Sequence, residues 1–486
     1  MKYPIRRTAL SLLAAALSAT LLSCAVNPVT GERNFVMMTE KEEIELGKKS
    51  DPQVRQQYSP YDNAALQAYV QQIGEKLAVK SHRANLIYRF TVLDSDEVNA
   101  FALPGGYIYI TRGIMAYLNS EAELAAVLGH EIGHVTARHS VRQYSAATAT
   151  GLVIGILGGG AAGQSVMNVL GSALLSGYGR EHELESDRLG AEYLARNGYD
   201  PDAMIDVVGV LKNQEEAEKK RAEAEKREAR SYHGVFASHP SADKRLQEVV
   251  AEAKKFKTST TSRVGREEYL KLMDGVVFGD SVREGIRRGS DFYHRDLNFA
   301  FSFPSGWRVQ NTPKAVNAAA PDKNALMQLT MEEMNKRVTP QEYLRERVKT
   351  NTFKDEAKLE GSPFPSHTAI VRINTPFGVR DARVAVLFNG DRAFVLFGTA
   401  KDEATFRRLD PQFQTAMRSL HTLSDKERAI AAGLKLRVVK ARAGDTFAEL
   451  AKRSPLNTYA ELTLRLINDK FPIGEPVAGE SIKIIE

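Results

Sequence analysis

His130 and His134 stand four residues apart with Glu131 beside the first, in the run His130-Glu131-Ile132-Gly133-His134. On a helix, residues four apart share a face, so both imidazoles can reach one metal ion. Glu131 projects near enough to touch a water at that ion, where a carboxylate can move protons. The residues in front, Glu121 to Gly129, are strong helix formers, and Val135 to His139 continue the same helix. The chemistry this spacing suits is metal-assisted hydrolysis.

A catalytic zinc usually takes three protein ligands and keeps a fourth position for water. The third ligand is sought in Glu181-His-Glu-Leu-Glu-Ser-Asp187, which opens a second helix running through Leu194. Glu183 and Asp187 share a face, whereas Glu185 points elsewhere and reads as a solvated carboxylate. Spacing alone leaves Glu181, Glu183 and Glu185 open as the ligand.

Together these motifs resemble the zinc metallopeptidase family of the CAAX prenyl endopeptidases and the bacterial HtpX-type and BepA-type proteases. That family carries His-Glu-x-x-His followed by Glu-x-x-x-Asp. The resemblance implies one zinc per chain held by His130, His134 and Glu183, with Asp187 behind a ligating histidine. Two further matches support it. Asn99-Ala100-Phe101 and the residues up to Thr111 read as strand, turn and strand, with Ile108 and Ile110 on one face and Tyr107 and Tyr109 on the other. The resemblance makes the first an edge strand, against which an extended substrate pairs through its backbone. Ser238-His239-Pro240 is the other match. In similar proteins this histidine stabilises the oxyanion or occupies the metal at rest, while Pro240 also suits a plain first helical turn. Glu131 is then the general base that takes a proton from water and the acid that returns it to the departing amine.

The N-terminus bears on compartment. Lys2, Arg6 and Arg7 precede an apolar run from Ala9 to Leu22, too short for a confident membrane span and typical of a secretory signal. Leu21-Leu-Ser-Cys24 resembles a bacterial lipobox, and Cys24 is the only cysteine, which excludes an intramolecular disulfide. The reading is a lipoprotein anchored at Cys24. Ala25 next to it favours the outer membrane facing the periplasm. The formal charge of +6 falls to about +3 once Lys2, Arg6 and Arg7 are removed, too mild to argue for nucleic acid.

The expected organisation is a signal peptide over 1–23, a lipid-anchored tether over 24–38, and a mostly helical, zincin-type metallopeptidase domain over 39–254. Thr39 and Glu42 have the spacing of a capping box at its start. Gln143 to Gly179 carries no charge and reads as two buried helices beside the motif helix. Asn213 to Arg230 is nearly all Glu, Lys, Arg and Ala, which predicts a solvated helical arm. A linker with a helix is placed at 255–290.

An α+β domain with an antiparallel sheet follows over 291–425. Phe299, Phe301 and Phe303 alternate there, and Asn389-Gly-Asp-Arg392 marks a hairpin. The last segment, 434–486, resembles a LysM module of βααβ form, which implies peptidoglycan as a partner.

The whole is a multidomain α+β protein. Its expected function is a zinc endopeptidase cleaving unfolded or misassembled envelope proteins, tied to the membrane by lipid. The alternative is a lipoprotein scaffold or chaperone of envelope assembly whose protease site is normally closed.

Overall fold

The computed structural model describes residues 24–146, 148, 178–229, 248, 255–256, 262–348, 350 and 352–486. The signal segment 1–23, the uncharged stretch 149–177 and Ser238-His239-Pro240 lie outside the described residues. The chain divides into two units, one comprising residues up to Phe278 together with Lys435–Glu486, the other Gly279–Leu434.

The first unit begins with a small hairpin, β1 (Cys24–Val26) against β2 (Arg33–Phe35), where a tether was expected. Asn27 closes its turn by accepting from the Val29 amide at 2.8 Å. Helix α1 (Glu40–Gln57) starts at the Thr39–Glu42 capping box, and α2 (Ala64–Ala78) starts where Asn63 accepts from the Leu66 amide. Such caps satisfy backbone donors that the first helical turn leaves open, for about 1 kcal/mol each.

Strands β3 (Arg89–Leu93), β4 (Ala100–Leu103) and β5 (Tyr107–Thr111) form a sheet in the order β3-β5-β4. β3 runs parallel to β5, and β4 antiparallel. The short helix α3 (Arg112–Met115) leads to α4 (Glu121–Thr136), which is buried along its whole length. Next come α5 (Arg180–Arg196), α6 (Ala203–Ala224), α7 (Arg266–Met273) and the short strand β6 (Val277–Phe278). Among the described residues no helix is long and apolar enough to cross a membrane.

The second unit carries a three-stranded sheet, β7 (Ile286–Arg288), β8 (Asp291–His294) and β9 (Phe299–Ser302). A seven-stranded antiparallel sheet follows, built from β10 (Arg308–Thr312), β11 (Ala315–Ala319), β12 (Ala325–Glu333), β13 (Phe353–Ala357), β14 (Ser366–Thr375), β15 (Gly378–Asn389) and β16 (Arg392–Ala400). Its strand order is β10-β11-β12-β16-β15-β14-β13. Asn389 pairs with Arg392 across the tight turn read from the sequence. The sheet is covered on both faces, because alternate residues of β15 join different cores. Ala385 and Leu387 pack with Phe394, Trp307 and Phe413 of helix α9 (Glu403–Arg418). Val384 and Val386 pack with Leu344 of helix α8 (Pro340–Val348). Helix α10 (Asp425–Ala431) ends the unit.

The chain then returns to the first unit as β17 (Leu434–Lys440), α11 (Phe447–Lys452), α12 (Ala460–Ile467) and β18 (Ser481–Ile485). This is the expected βααβ order, but the module is no separate body. β17 lies between β18 and β6 in one sheet. Lys483, wholly buried, sends its ammonium to the carbonyls of Ala116 and Leu118 at 2.7 and 2.6 Å.

Two expectations change for the same reason. The helix read as a solvated arm packs on this module, burying Gln214, Ala217, Glu218 and Ala222. Arg221 donates to Thr463, and Lys220 lies over the Phe471 ring. The expected linker over 255–290 also divides. α7 is bound into the first unit by Tyr269, whose hydroxyl donates to Met115 O at 2.7 Å, while residues from Gly279 belong to the second. Small alanines and long amphipathic side chains bury a helix that composition alone presents as solvated.

Candidate metal centre

Both ends of α4 are tied down. At its start Ser120 accepts from the Glu123 amide at 3.1 Å. The Glu121 carboxylate there receives Tyr69, Tyr199 and Arg263 at 2.6, 2.6 and 2.8 Å. At its end Arg83 bridges Glu43 of α1 and the Val135 carbonyl, at 2.7 and 3.0 Å. Along its middle α4 meets α5 through small residues. A Cβ placed on Gly133 would lie 3.1 Å from the Ser186 Cα, and one on Gly190 would lie 3.1 Å from the His130 amide nitrogen. This approach of two backbones sets the first turn of α5 over the histidines.

Glu183 is thereby brought to His130 and His134. Its two oxygens lie 3.3 Å from His130 Nε2 and 3.5 Å from His134 Nε2, and the two Nε2 atoms are 2.9 Å apart. Ligands about 2.0–2.1 Å from a tetrahedral zinc stand roughly 3.4 Å apart, so two imidazoles and one carboxylate at these separations suit that ion. Among the described residues this is the one such group of three. Glu181 and Glu185 are not in it. Asp187 accepts from His130 Nδ1 at 2.8 Å, a bond that leaves Nε2 directed at Glu183 and His134. Burial works against charge on His130, but the bonds to Asp187 and Glu183 outweigh it and raise its pKa. Glu131, on the same helix, is wholly buried.

The structure corrects two readings here. The motif helix does not continue to His139: it stops at Thr136, and Arg138 takes a left-handed conformation with φ of 57°. That residue is held by bonds from its guanidinium to Glu43 and to Met38 O, at 2.9 and 3.0 Å. The turn brings His139 back, so that its Nδ1 lies 2.9 Å from His134 Nδ1. Glu185, in turn, is no solvated carboxylate. With 17% of its side chain exposed, it receives His139 Nε2 at 3.0 Å and Arg142 at 3.1 Å. Burial raises the Glu185 pKa, but the His139 and Arg142 contacts prevail and lower it to about 2. Burial also holds His139 neutral, with its pKa near 4. Tyr178 stacks on His134 at 4.0 Å, and His182 stacks on His139 at 4.2 Å. Of these four residues only Glu185 was weighed from sequence, as an open alternative for the third ligand. The signal available was the cluster of histidines around the two motifs.

β4 lies at the sheet edge, with β5 as its neighbour among the described residues, and α4 packs against it. Asn99 and Ala100 are buried there, while Phe101 is partly exposed and stacks on Tyr109 at 4.9 Å. The Pro104-Gly105-Gly106 turn that follows needs glycine, since φ is 78° and 87° at the two positions.

Residues 64–253 match the family described as peptidase family M48. This stretch is an M48 zinc metallopeptidase domain. It contains all three candidate ligands. The chain is 29% identical over 217 residues to the beta-barrel assembly-enhancing protease of Yersinia pestis, covering 42% of each. To the protein of that name from Escherichia coli (strain K12) it is 31% identical over 175 residues, 34% of this chain and 36% of the relative. To the mitochondrial metalloendopeptidase OMA1 of Schizosaccharomyces pombe it is 28% identical over 184 residues, 37% of this chain and 51% of that one. The matches thus span less than half the length of the two bacterial relatives.

Proposed function

We propose that this protein is a zinc-dependent endopeptidase of the bacterial cell envelope, acting on unfolded or misassembled polypeptides. The observation that carries the reading is the convergence of His130, His134 and Glu183 beside Glu131 in the M48 domain. The chemistry expected of zinc at these ligands is polarisation of a carbonyl and acidification of water. Glu131 would take a proton from the attacking water on a carboxylate oxygen and return it to the departing amine. Asp187, by accepting from His130 Nδ1, holds that ring in the tautomer whose Nε2 can ligate. An extended substrate would add to the edge of β4 at Asn99, Ala100 and Phe101, which explains a taste for unfolded backbone over a tight sequence motif. His239 is assigned to the oxyanion or to the resting metal by the family resemblance.

The envelope location rests on the signal-like N-terminus and the lipobox-like Cys24, and it agrees with relatives named for beta-barrel assembly. The βααβ shape of 434–486 supports contact with peptidoglycan as a further role. A second reading, a scaffold or chaperone with a normally closed protease site, is favoured by burial. His130, Glu131, His134 and Glu183 are 2, 0, 1 and 1% exposed.

The deciding experiment measures zinc content and cleavage of an unfolded protein by the mature chain and by Glu131→Gln and His134→Ala. The protease reading expects zinc in the first two, cleavage in the first alone, and no zinc in His134→Ala. Zinc without cleavage by any form would favour the closed scaffold, and a fully active Glu131→Gln enzyme would sink the assignment of the base.

A further inference from the structure

We infer that His139 is a positioning residue for the metal, fixing through its own tautomer the tautomer of His134, with Glu185 as the anchor of the relay. The inference rests on the metal site proposed above. One line of contacts runs from Glu185 through His139 to His134. Glu185 Oε2 lies 3.0 Å from His139 Nε2. An ionised carboxylate only accepts, so Nε2 must carry a hydrogen. A neutral imidazole has one such hydrogen, which leaves His139 Nδ1 as an acceptor. His134 Nδ1 is 2.9 Å from that atom and must therefore be the donor. His134 Nε2 is then left with its lone pair, directed to Glu183 and His130 at 3.5 and 2.9 Å.

The relay is built to stay in place. His139 is wholly buried, and Arg142 holds Glu185 from its other side at 3.1 Å. Tyr178 and His182 flank the two rings in stacked geometry, so neither imidazole can turn without losing a face. Ser186 Oγ, 3.3 Å from His139 Nδ1, is a second donor to the same acceptor atom. His130 achieves the same result with one step fewer, since its Nδ1 meets Asp187 directly at 2.8 Å. Each ligating histidine thus has a carboxylate setting its tautomer, one directly and one through a second imidazole. Partners of this kind typically change metal affinity about 10- to 100-fold when removed.

The test measures zinc affinity of the full chain by competition with a chromophoric chelator, and the visible absorption of its cobalt(II) form, for His139→Leu, His139→Gln and Glu185→Ala. Leucine can neither accept from His134 nor donate to Glu185, and zinc affinity should fall about 10- to 100-fold. Glutamine offers a carbonyl to His134 and an amide to Glu185, so it should recover affinity to within about 3-fold of wild type and keep the cobalt spectrum. Glu185→Ala should weaken zinc about 3- to 10-fold by freeing the His139 tautomer.

Wild-type affinity in His139→Leu, or equal weakness in the leucine and glutamine variants, overturns the inference. Should His139→Leu fail to fold, the other two variants decide it: a glutamine variant weakened 10-fold or more, or an unchanged Glu185→Ala, is equally fatal. His134→Ala separates the two readings. Zinc retained there defeats the metal site itself, whereas zinc lost there but unchanged in His139→Leu defeats only the relay.

Discussion

Gly133 and Ser186 meet so closely that a methyl group on the glycine would stand 3.1 Å from the serine Cα and 3.1 Å from its carbonyl oxygen. Both obstacles are backbone, which cannot swing aside as a side chain would. The glycine between the two histidines is therefore what lets Glu183 reach them.

Gly133→Ala sets two effects against each other. Alanine gains up to about 1 kcal/mol of helix propensity. It also moves α5 outward by a few tenths of an ångström, at the cost of ligand geometry. The expected outcome is a metal-free protein of unchanged or higher melting temperature with zinc affinity lowered about 10-fold. Equal zinc affinity in chelator competition would show that the helices can part without moving Glu183.

Asp187→Ala should act on the metal more than on the fold. Its carboxylate accepts from His130 Nδ1 at 2.8 Å, and removing it frees that ring to turn or to shift its proton. A 10- to 100-fold loss of zinc affinity is expected, roughly the range known for such partners. Wild-type affinity would mean that packing alone orients His130.

Lys483 ties β18 to the loop in front of the metal helix. Burial pushes its pKa down and pushes that of Glu123 up, and each is the other's charged partner. Lys483→Met leaves the Ala116 and Leu118 carbonyls and the Glu123 carboxyl without this cation. Leaving buried carbonyls unsatisfied in this way costs about 1–3 kcal/mol each. The expected result is a lowered denaturation midpoint for the first unit by circular dichroism. A midpoint unchanged by Lys483→Met would contradict this.

The second unit offers a pH test. His294 stacks on Phe299 at 5.7 Å, and its Nδ1 accepts from the Leu297 amide at 3.3 Å, a bond that protonation there would break. Burial, with a smaller push from Arg392, lowers its pKa to about 4. A pKa lowered on folding means that the native state binds fewer protons. The stabilisation is therefore complete above the unfolded value near 6.5 and lost as pH falls towards 4. The loss is at most about 3 kcal/mol. Trp307, the one tryptophan of the chain, is buried in this unit and reports its unfolding by fluorescence. His294→Phe should flatten the pH dependence between 6.5 and 4, and an unaltered slope would rule His294 out.

Much of this architecture is legible without coordinates, for physical reasons that also mark where legibility ends. His130, His134, Glu183 and Asp187 sit at helical spacings, and the helices they imply are present. The alternating phenylalanines and the Asn389–Arg392 turn mark a period of two and a tight hairpin, and both survive in the second unit. His139 was not legible. In an unbroken helix it would stand about 140° from His134, and only the left-handed turn at Arg138 returns it. Glu185 was misread because its partners come from another segment. The charged run of α6 was misread because what covers it lies more than 200 residues further along the chain.

The first unit is interrupted in sequence: the chain leaves it at Phe278 and re-enters at Lys435. Synthesis proceeds from the N-terminus, so Gly279–Leu434 is made in full before the first unit has all of its parts. Lys483 and the strand that carries it emerge only after that second unit. The fold around the metal helix thus waits on residues made after the whole second unit, which places a built-in delay between making the candidate zinc ligands and enclosing them.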